Sequence, residues 1–198
     1  MNEVILGAYQ YPCFANRKKV SKVLEVLKEY RKLAEEISKI QWEFFFRTGK
    51  FNRYLKLKSV SSRLSERWKQ TCLWQVVSVL KSFIKNIQNR FQEIVRNSKL
   101  SSEVKEVLLT INRYKAWFNP DFECDSEIKK LARKIFKHIL SRWKLPSFRN
   151  INFHLDSKVA VIEENRKSKA FDKWVKFSTL EKGNPVYLPL KNNPYAEK

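Results

Sequence analysis

One helix face in the first half of the chain holds residue types that bind nucleic acids. The spacing of apolar residues over 65–96 predicts a long helix, because Cys72, Val76 and Leu80 fall within one arc at 100° per residue. The stripe opposite that arc contains Arg67, Gln70, Trp74, Lys81 and Lys85. Cations bind phosphates, a planar amide can bond to an adenine edge, and an indole can stack on a base. A solvated face would also explain the charges but explains the indole poorly, so we expect this stripe to contact nucleic acid.

Two further basic segments predict additional contacts. Residues 47–69 contain one acid, Glu66, and aromatic residues lie between their cations, as on surfaces that follow a nucleic-acid backbone and stack its bases. Residues 129–149 contain no acid. Outside the stripe, the candidate nucleic-acid-binding residues are Arg63, Lys69, Lys129, Arg133, Lys137, Lys144 and Arg149.

The charge of the whole chain favours a polyanionic partner. The 198 residues have a formal net charge of +21, and residues 1–150 hold 32 Lys and Arg against 14 Asp and Glu, a net of +18. Nucleic acid is therefore the first expected partner, and an anionic membrane surface is the second. No apolar run approaches the ~18 residues of a membrane span, and the first residues do not resemble a signal peptide. We expect a soluble intracellular protein with no membrane partner.

No catalytic or metal site is predicted. The sequence contains no phosphate-loop, dinucleotide-binding, zinc-protease or nucleophile-elbow motif, and it has only three glycines. The three cysteines lie far from one another and from both histidines, so neither a zinc site nor a disulfide is expected. The adjacent acids, Glu35 with Glu36 and Glu163 with Glu164, have no predicted partners for metal-assisted chemistry. We therefore expect no cofactor in this chain.

The elements that position these residues are predicted to be helices followed by strands. Apolar periodicity and turn residues predict helices at 20–40, 65–96, 102–118 and 125–143, with breaks at 48–50 and 119–121. Alternation of apolar and polar residues predicts strands at 4–8, 151–155, 159–161 and a hairpin at 173–190. The expected fold is α+β, with a helical bundle inserted into a small antiparallel β-barrel.

The hairpin is the most specific of the strand signals. Alternation over 175–179 is followed by turn residues at 181–184 and by renewed alternation over 186–190. Pro189 cannot donate a ladder hydrogen bond, so the second strand should lie at a sheet edge or end there.

Four segments, in order, resemble the N-terminal half of TnpB, the transposon-associated RNA-guided nuclease related to the type V CRISPR effectors. They are MNEVILGAYQYP, WKQTCLWQVVSVLKSF, LPSFRNINFHLDSKVAVIEE and FDKWVKFSTLEKGNPVYLPLK. In that family an N-terminal strand and later strands form a wedge barrel, with a helical recognition domain inserted between them. The resemblance implies a first wedge strand at 1–12, a recognition domain at 13–145, the remaining barrel at 146–191 and a linker at 192–198.

The resemblance also implies partners and a reading residue. The family's wedge and recognition domains hold a guide RNA and read a short DNA motif beside the target duplex, while base pairing reads the rest. The Gln of the family's recognition helix falls on Gln70, which the helical stripe contains independently. Such a protein would act in the cytoplasm of a prokaryote, close to nucleoid DNA.

The family's first nuclease carboxylate follows the L-P-L-K segment, in a RuvC-like domain. The chain is then either a split or shortened protein, with a separate RuvC-like nuclease chain as a further partner, or the front part of a longer nuclease. DNA cleavage is not assigned to these residues in either case.

Two alternatives from other functional classes stay open. One is a stand-alone DNA-binding regulator that uses the same scaffold. The other is a basic structural RNA-binding protein, for which the likeness of the S-T-L-E-K-G segment would be coincidence.

Overall fold

The computed structural model describes residues 10–57, 60–164 and 170–191. These residues form α1 (Arg17–Thr48), α2 (Glu66–Arg96), α3 (Ser102–Tyr114), α4 (Ser126–Arg142), β1 (Ala160–Glu164), β2 (Lys173–Phe177) and β3 (Val186–Leu190). The helices and the antiparallel sheet occupy separate stretches of the chain, so the predicted α+β class is confirmed. The predicted strand at 4–8 lies outside the described residues.

The helix ends follow local capping rules. α1 ends next to Gly49, whose φ of 73° is a left-handed conformation that glycine adopts without steric cost. The Ser101 hydroxyl and the Asp125 carboxylate accept hydrogen bonds from backbone N–H groups in the first turns of α3 and α4. The four predicted helices are confirmed, although α3 ends at Tyr114 rather than at residue 118.

The sheet is antiparallel, with strand order β1-β2-β3. The predicted hairpin is confirmed, since β2 pairs with β3 and the register sets Phe177 opposite Val186. β2 ends at Phe177 rather than at residue 179, because the Thr179 hydroxyl belongs to the turn and donates to the Asn184 carbonyl at 2.8 Å.

Pro189 lies on an edge strand, as predicted. The N–H and C=O of one residue in an antiparallel strand point to the same side. The Pro189 carbonyl accepts a hydrogen bond from the Phe14 backbone N–H at 3.0 Å on the outer side of β3, where Cys13 also forms a bridge with Leu190. The missing N–H of Pro189 therefore faces outward, and no bond to β2 is lost.

The predicted strand at 151–155 is wrong. These residues have no ladder partner in the described part of the chain. Phe153 instead packs against the Tyr30 ring at 5.4 Å, and the backbone N–H of His154 donates to the Tyr30 hydroxyl at 3.4 Å. The alternation comes from an extended segment on an aromatic surface, and the sheet of described strands is open rather than a closed barrel.

The chain divides into two compact units. The first unit comprises Met1–Tyr30, Ser62–Thr71 and Phe153–Lys198. Its core contains four aromatic rings with neighbouring centroids 5.3 to 5.9 Å apart: Tyr30, Trp68, Phe153 and Phe177. These rings come from two helices, the extended segment and β2.

The second unit comprises Arg31–Ser61 and Cys72–Asn152. Its core is a buried apolar cluster contributed by all four helices and by the turn after α3, and the cluster includes Phe45, Ile84, Ile87, Phe91, Leu108, Ile111, Trp117, Ala132 and Phe136. Since the faces of α2 and α3 that this cluster leaves free are polar, they can line a surface groove.

Candidate nucleic-acid interface

A groove with a basic and polar lining lies between α2 and α3 in the second unit. It has a volume of 430 Å³ and is lined by Lys85, Gln88, Asn89, Gln92, Arg96, Leu109, Asn112, Arg113 and Lys115. Four of these side chains are cationic and four are amides, and none of the lining residues is acidic. We call Lys85, Arg96, Arg113 and Lys115 the groove cations. A surface of this composition attracts anions and can donate hydrogen bonds to phosphate oxygens.

A reciprocal pair of hydrogen bonds joins the two helices at the groove. The Gln88 side-chain amide donates to the Asn112 carbonyl at 2.6 Å, and the Asn112 amide donates to the Gln88 carbonyl at 3.0 Å. Both residues are buried. Two backbone carbonyls and two side-chain NH2 groups are paired in this way, whereas the Asn112 Oδ1 is buried and accepts no hydrogen bond from the described residues. Hydrogen bonds have a preferred direction, which apolar contacts lack.

Lys115 is held at the end of the groove by the helix that precedes it. It is the C-cap of α3 with a φ of 56°, and its backbone N–H donates to the Asn112 carbonyl. Desolvation lowers the pKa of the Lys115 ammonium, and the positive charges of Lys81 and Lys85 lower it further. Three ammonium groups are therefore close enough to repel one another, which an anion at this surface would relieve.

The basic side chains at this surface have no acidic partners among the residues that the structure describes. No ion pair within the described ranges involves Lys81 or any of the groove cations. Lys81, Lys85, Arg96 and Arg113 are exposed, and Lys115 is half-buried. Their charges are consequently available to an external anion.

The Trp74 side chain is less exposed than the helical stripe predicted. The side chain is half-buried, its indole nitrogen is buried, and the Arg53 guanidinium covers the ring at 5.3 Å from the centroid. The buried face of α2 is wider than the predicted arc, because Leu73 and Val77 are also buried beside Trp74. The expectation of an exposed indole is therefore wrong.

The predicted contacts on α4 divide into two groups. The Lys129 ammonium donates to the Phe122 carbonyl at 2.7 Å, and the Arg133 guanidinium donates to the Trp117 carbonyl at 2.8 Å, so both hold the turn between α3 and α4. Lys137 is exposed on the helix.

Two further predicted contacts of the second unit follow α4. Lys144 is exposed, whereas Arg149 forms an ion pair with Glu35 at 3.2 Å. Among the predicted residues of this region, Lys137 and Lys144 therefore form no ion pair with the described part of the chain.

Three predicted contacts in the first unit are ion-paired. Arg63 pairs with Glu25 at 3.0 Å, Arg67 pairs with Asp156, and Lys69, which is buried, pairs with Glu66 at 3.0 Å. Their charges are already compensated within the fold.

Gln70 is the fourth predicted contact of the first unit. It is half-buried, and its amide forms no hydrogen bond with the described part of the chain. It therefore keeps a free donor and acceptor.

Sequence reasoning missed three groove cations: Arg96, Arg113 and Lys115. Arg113 lies in the last turn of α3, and Lys115 follows that helix. Neither belongs to a run of basic residues, so no local sequence pattern indicates them. On α2, however, Lys85, Asn89, Gln92 and Arg96 recur at helical spacings of four, three and four, and this polar row was a usable signal.

The described residues contain no group of three or more metal-ligating side chains. Cys13, Cys72 and Cys124 are free thiols. No helix within the described ranges is long and apolar enough to cross a membrane.

Comparisons with known proteins give no relative. No protein-family model matches the chain, and neither the curated proteins nor the solved structures contain a significant match.

Proposed function

We propose that this chain is a nucleic-acid-binding recognition and wedge module of a TnpB-like RNA-guided DNA nuclease system. It would bind a guide RNA and the DNA duplex beside the target, in the cytoplasm of a prokaryote close to the nucleoid. The module supplies no catalytic group of its own, and a RuvC-like domain or chain would cut the DNA.

The α2–α3 groove is the observation that supports nucleic-acid binding. Four cations and four amides line it without an acid, and no ion pair within the described residues compensates the cations. Polyanion binding releases counterions for each phosphate neutralised, so unpaired cations contribute most of the affinity. A neutral ligand would gain no Coulomb energy from the four cations.

The guide-dependent part of the proposal rests on the four TnpB-like segments. Their order accounts for helices that precede most of the sheet, and Gln70 lies in the segment that resembles the recognition helix. The wedge-type barrel belongs to this proposal as well, with the bridge between Cys13 and Leu190 at the open edge of β3 as its support.

Sequencing of the RNA that copurifies with the protein from its native host tests the guide. We expect one abundant small RNA, since a guide-binding module holds a single folded RNA class. A diffuse RNA population would contradict the proposal and favour a structural RNA-binding protein. Mapping the DNA crosslinked to the same complex should recover sites that match the guide, each beside a common short motif.

A salt titration of the purified chain with RNA tests the phosphate contacts. The logarithm of the association constant should fall steeply and linearly with the logarithm of salt concentration, by about 0.7 to 0.9 per contact. A flat titration between low and physiological ionic strength would refute nucleic-acid binding through the groove cations.

A further inference from the structure

We propose that a cavity adjoining the α2–α3 groove binds one unstacked nucleotide of a single-stranded RNA segment. This inference rests on the proposed nucleic-acid-binding function and assigns the ligand of a second part of the same surface. The cavity has a volume of 250 Å³ and is lined by Phe45, Gly49, Lys50, Phe51, Lys81, Ile84 and Lys115. We call it the aromatic cavity.

The lining of the aromatic cavity is apolar on one part and cationic on another. The Phe45 and Phe51 rings stack with centroids 4.8 Å apart and planes 20° from parallel, and Ile84 completes the apolar part. Lys50, Lys81 and Lys115 supply three ammonium groups. A matching ligand has a flat apolar group joined to an anion, which describes a nucleotide.

Gly49 brings these residues together. Its φ of 73° is left-handed, and a Cβ there would lie 2.9 Å from the Lys115 carbonyl oxygen, closer than real Cβ atoms approach. Any other residue would push the loop away from the end of α3. The absence of a side chain at Gly49 therefore lets Lys50 and Phe51 share one cavity with Lys115.

Size and position favour a nucleotide of the bound strand over a larger ligand. Sites for drug-sized ligands span about 300–1,000 Å³, so a cavity of 250 Å³ suits a single base. Lys115 lines both the aromatic cavity and the groove. A base inserted in the cavity would leave its own phosphate at the groove cations.

Binding of two small probes tests the inference directly. We expect AMP to shift the Ile84 methyl signal in an NMR titration and to bind about tenfold more tightly than ribose 5-phosphate, which has the anion but no base. Equal affinities for the two probes, or no shift at Ile84, would overturn the assignment.

Two phenylalanine variants separate base stacking from general packing. Phe51→Leu keeps an apolar side chain but removes the ring, so it should weaken binding of a 12-nucleotide oligoadenylate about five- to tenfold without changing the salt slope. Phe46→Leu removes a 41% exposed ring that does not line the cavity, and it should change binding less than twofold. Equal effects of the two variants would exclude a base in the cavity.

The cations provide a second test that does not alter the core. Lys50→Gln combined with Lys81→Gln should weaken AMP and ribose 5-phosphate alike, whereas Lys39→Gln, at an exposed lysine outside the cavity, should weaken neither. If the oligoadenylate binds with a steep salt slope but the cavity variants change nothing, only this inference fails. If the oligoadenylate does not bind at low salt, the proposed function fails with it.

Discussion

Two surfaces of the molecule, one in each unit, use their positive charges in opposite ways. In the first unit, each of four basic side chains lies within 4 Å of a carboxylate: Lys22 with Glu181, Arg63 with Glu25, Arg67 with Asp156 and Lys176 with Glu163. In the second unit, the groove cations have no such partners among the described residues. Pairing, rather than the number of basic residues, therefore distinguishes a surface that supports the fold from one that can bind a ligand.

The cavities of the two units show the same difference. A cavity of 720 Å³ beside the hairpin turn of the first unit has Arg63, Lys176 and Lys182 in its lining together with Glu181. Two of these cations, Arg63 and Lys176, are the ion-paired ones described above. The α2–α3 groove is smaller, at 430 Å³, but its lining has no acid. Composition of the lining, not volume, makes the groove the better site for a polyanion.

The largest expected effect comes from removing three groove cations. Lys85→Gln, Arg113→Gln and Lys115→Gln together should weaken RNA binding on the order of a hundredfold at about 0.1 M salt, since each phosphate contact contributes about fivefold there. The slope of log affinity against log salt should fall by about 2. Fluorescence anisotropy across a salt series measures both quantities.

A variant with the same change in net charge gives the control. Lys22→Gln, Arg63→Gln and Lys176→Gln remove three cations that are paired in the first unit. We expect this variant to lose affinity only severalfold. If both triple variants lose affinity equally, net charge alone governs binding and the contrast between the units has no functional meaning.

The second prediction concerns stability and belongs to the first unit. Asp156→Asn should lower the free energy of unfolding by about 1 to 3 kcal/mol at neutral pH, because the Arg67 guanidinium loses its charged partner. RNA affinity should not change. Urea denaturation and anisotropy on the same preparation measure the two effects, and a loss of affinity without a loss of stability would reverse the roles of the two units.

The pH dependence of this effect follows from the direction of the Asp156 pKa. Desolvation acts to raise that pKa, but hydrogen bonds from Arg67 and from backbone N–H groups, with the charge of Arg67, lower it below its ordinary value of 3.8. The ionised carboxylate therefore stabilises the fold above about pH 4, and this contribution is lost as the pH falls through the lowered pKa. The difference between wild type and Asp156→Asn should therefore diminish at pH values well below 3.8. A difference that persists there would show that Asp156 stabilises the turn as a neutral group.

The smallest expected effect tests an exception within the first unit. The Gln70 amide forms no hydrogen bond with a described residue, although its neighbours Arg67 and Lys69 are ion-paired. Gln70→Ala should reduce discrimination about tenfold at one or two base pairs and leave nonspecific binding unchanged, because an amide can bond bidentately to adenine. Selection from a randomised duplex library followed by sequencing measures the preference.

Gln75→Ala is the matched control for this prediction. Gln75 lies on the same helix, but its amide donates to the Asn152 carbonyl at 3.0 Å. We expect this variant to keep the base preference. If the preference survives Gln70→Ala, then Gln70 does not read a base. The groove would then remain as a site for phosphates alone.

Local features of the sequence predicted the elements well. Apolar periodicity and the breaks at Gly49 and at residues 119–121 depend on neighbouring residues, so they predicted four helices and the hairpin. The alternation at 151–155 was ambiguous, because an extended segment against an aromatic cluster shows the same pattern as a strand. Its environment depends on Tyr30, which is distant in the sequence.

The site was only partly predictable for the same reason. Lys81 and Lys85 were identified from α2 alone, and the structure places both close to Lys115. Whether a cation is free depends on partners far along the chain, as with Arg67 and Asp156, which are 89 positions apart. The exposure of Trp74 depends in turn on how much of α2 is covered, and a helical wheel of one helix does not contain that information.

The reciprocal hydrogen bonds between Gln88 and Asn112 select one register of α2 against α3 and contribute less to the free energy of folding than to this selection. Apolar contacts have no preferred direction, so they define the register of two helices less strictly than a reciprocal pair of hydrogen bonds does. Replacing both amides with apolar groups can be nearly neutral for the free energy of folding. The distance between Lys85 on α2 and Arg113 on α3 would then no longer be fixed at one value. A protein could thus keep its melting temperature while its cations ceased to match the fixed repeat of a phosphate backbone.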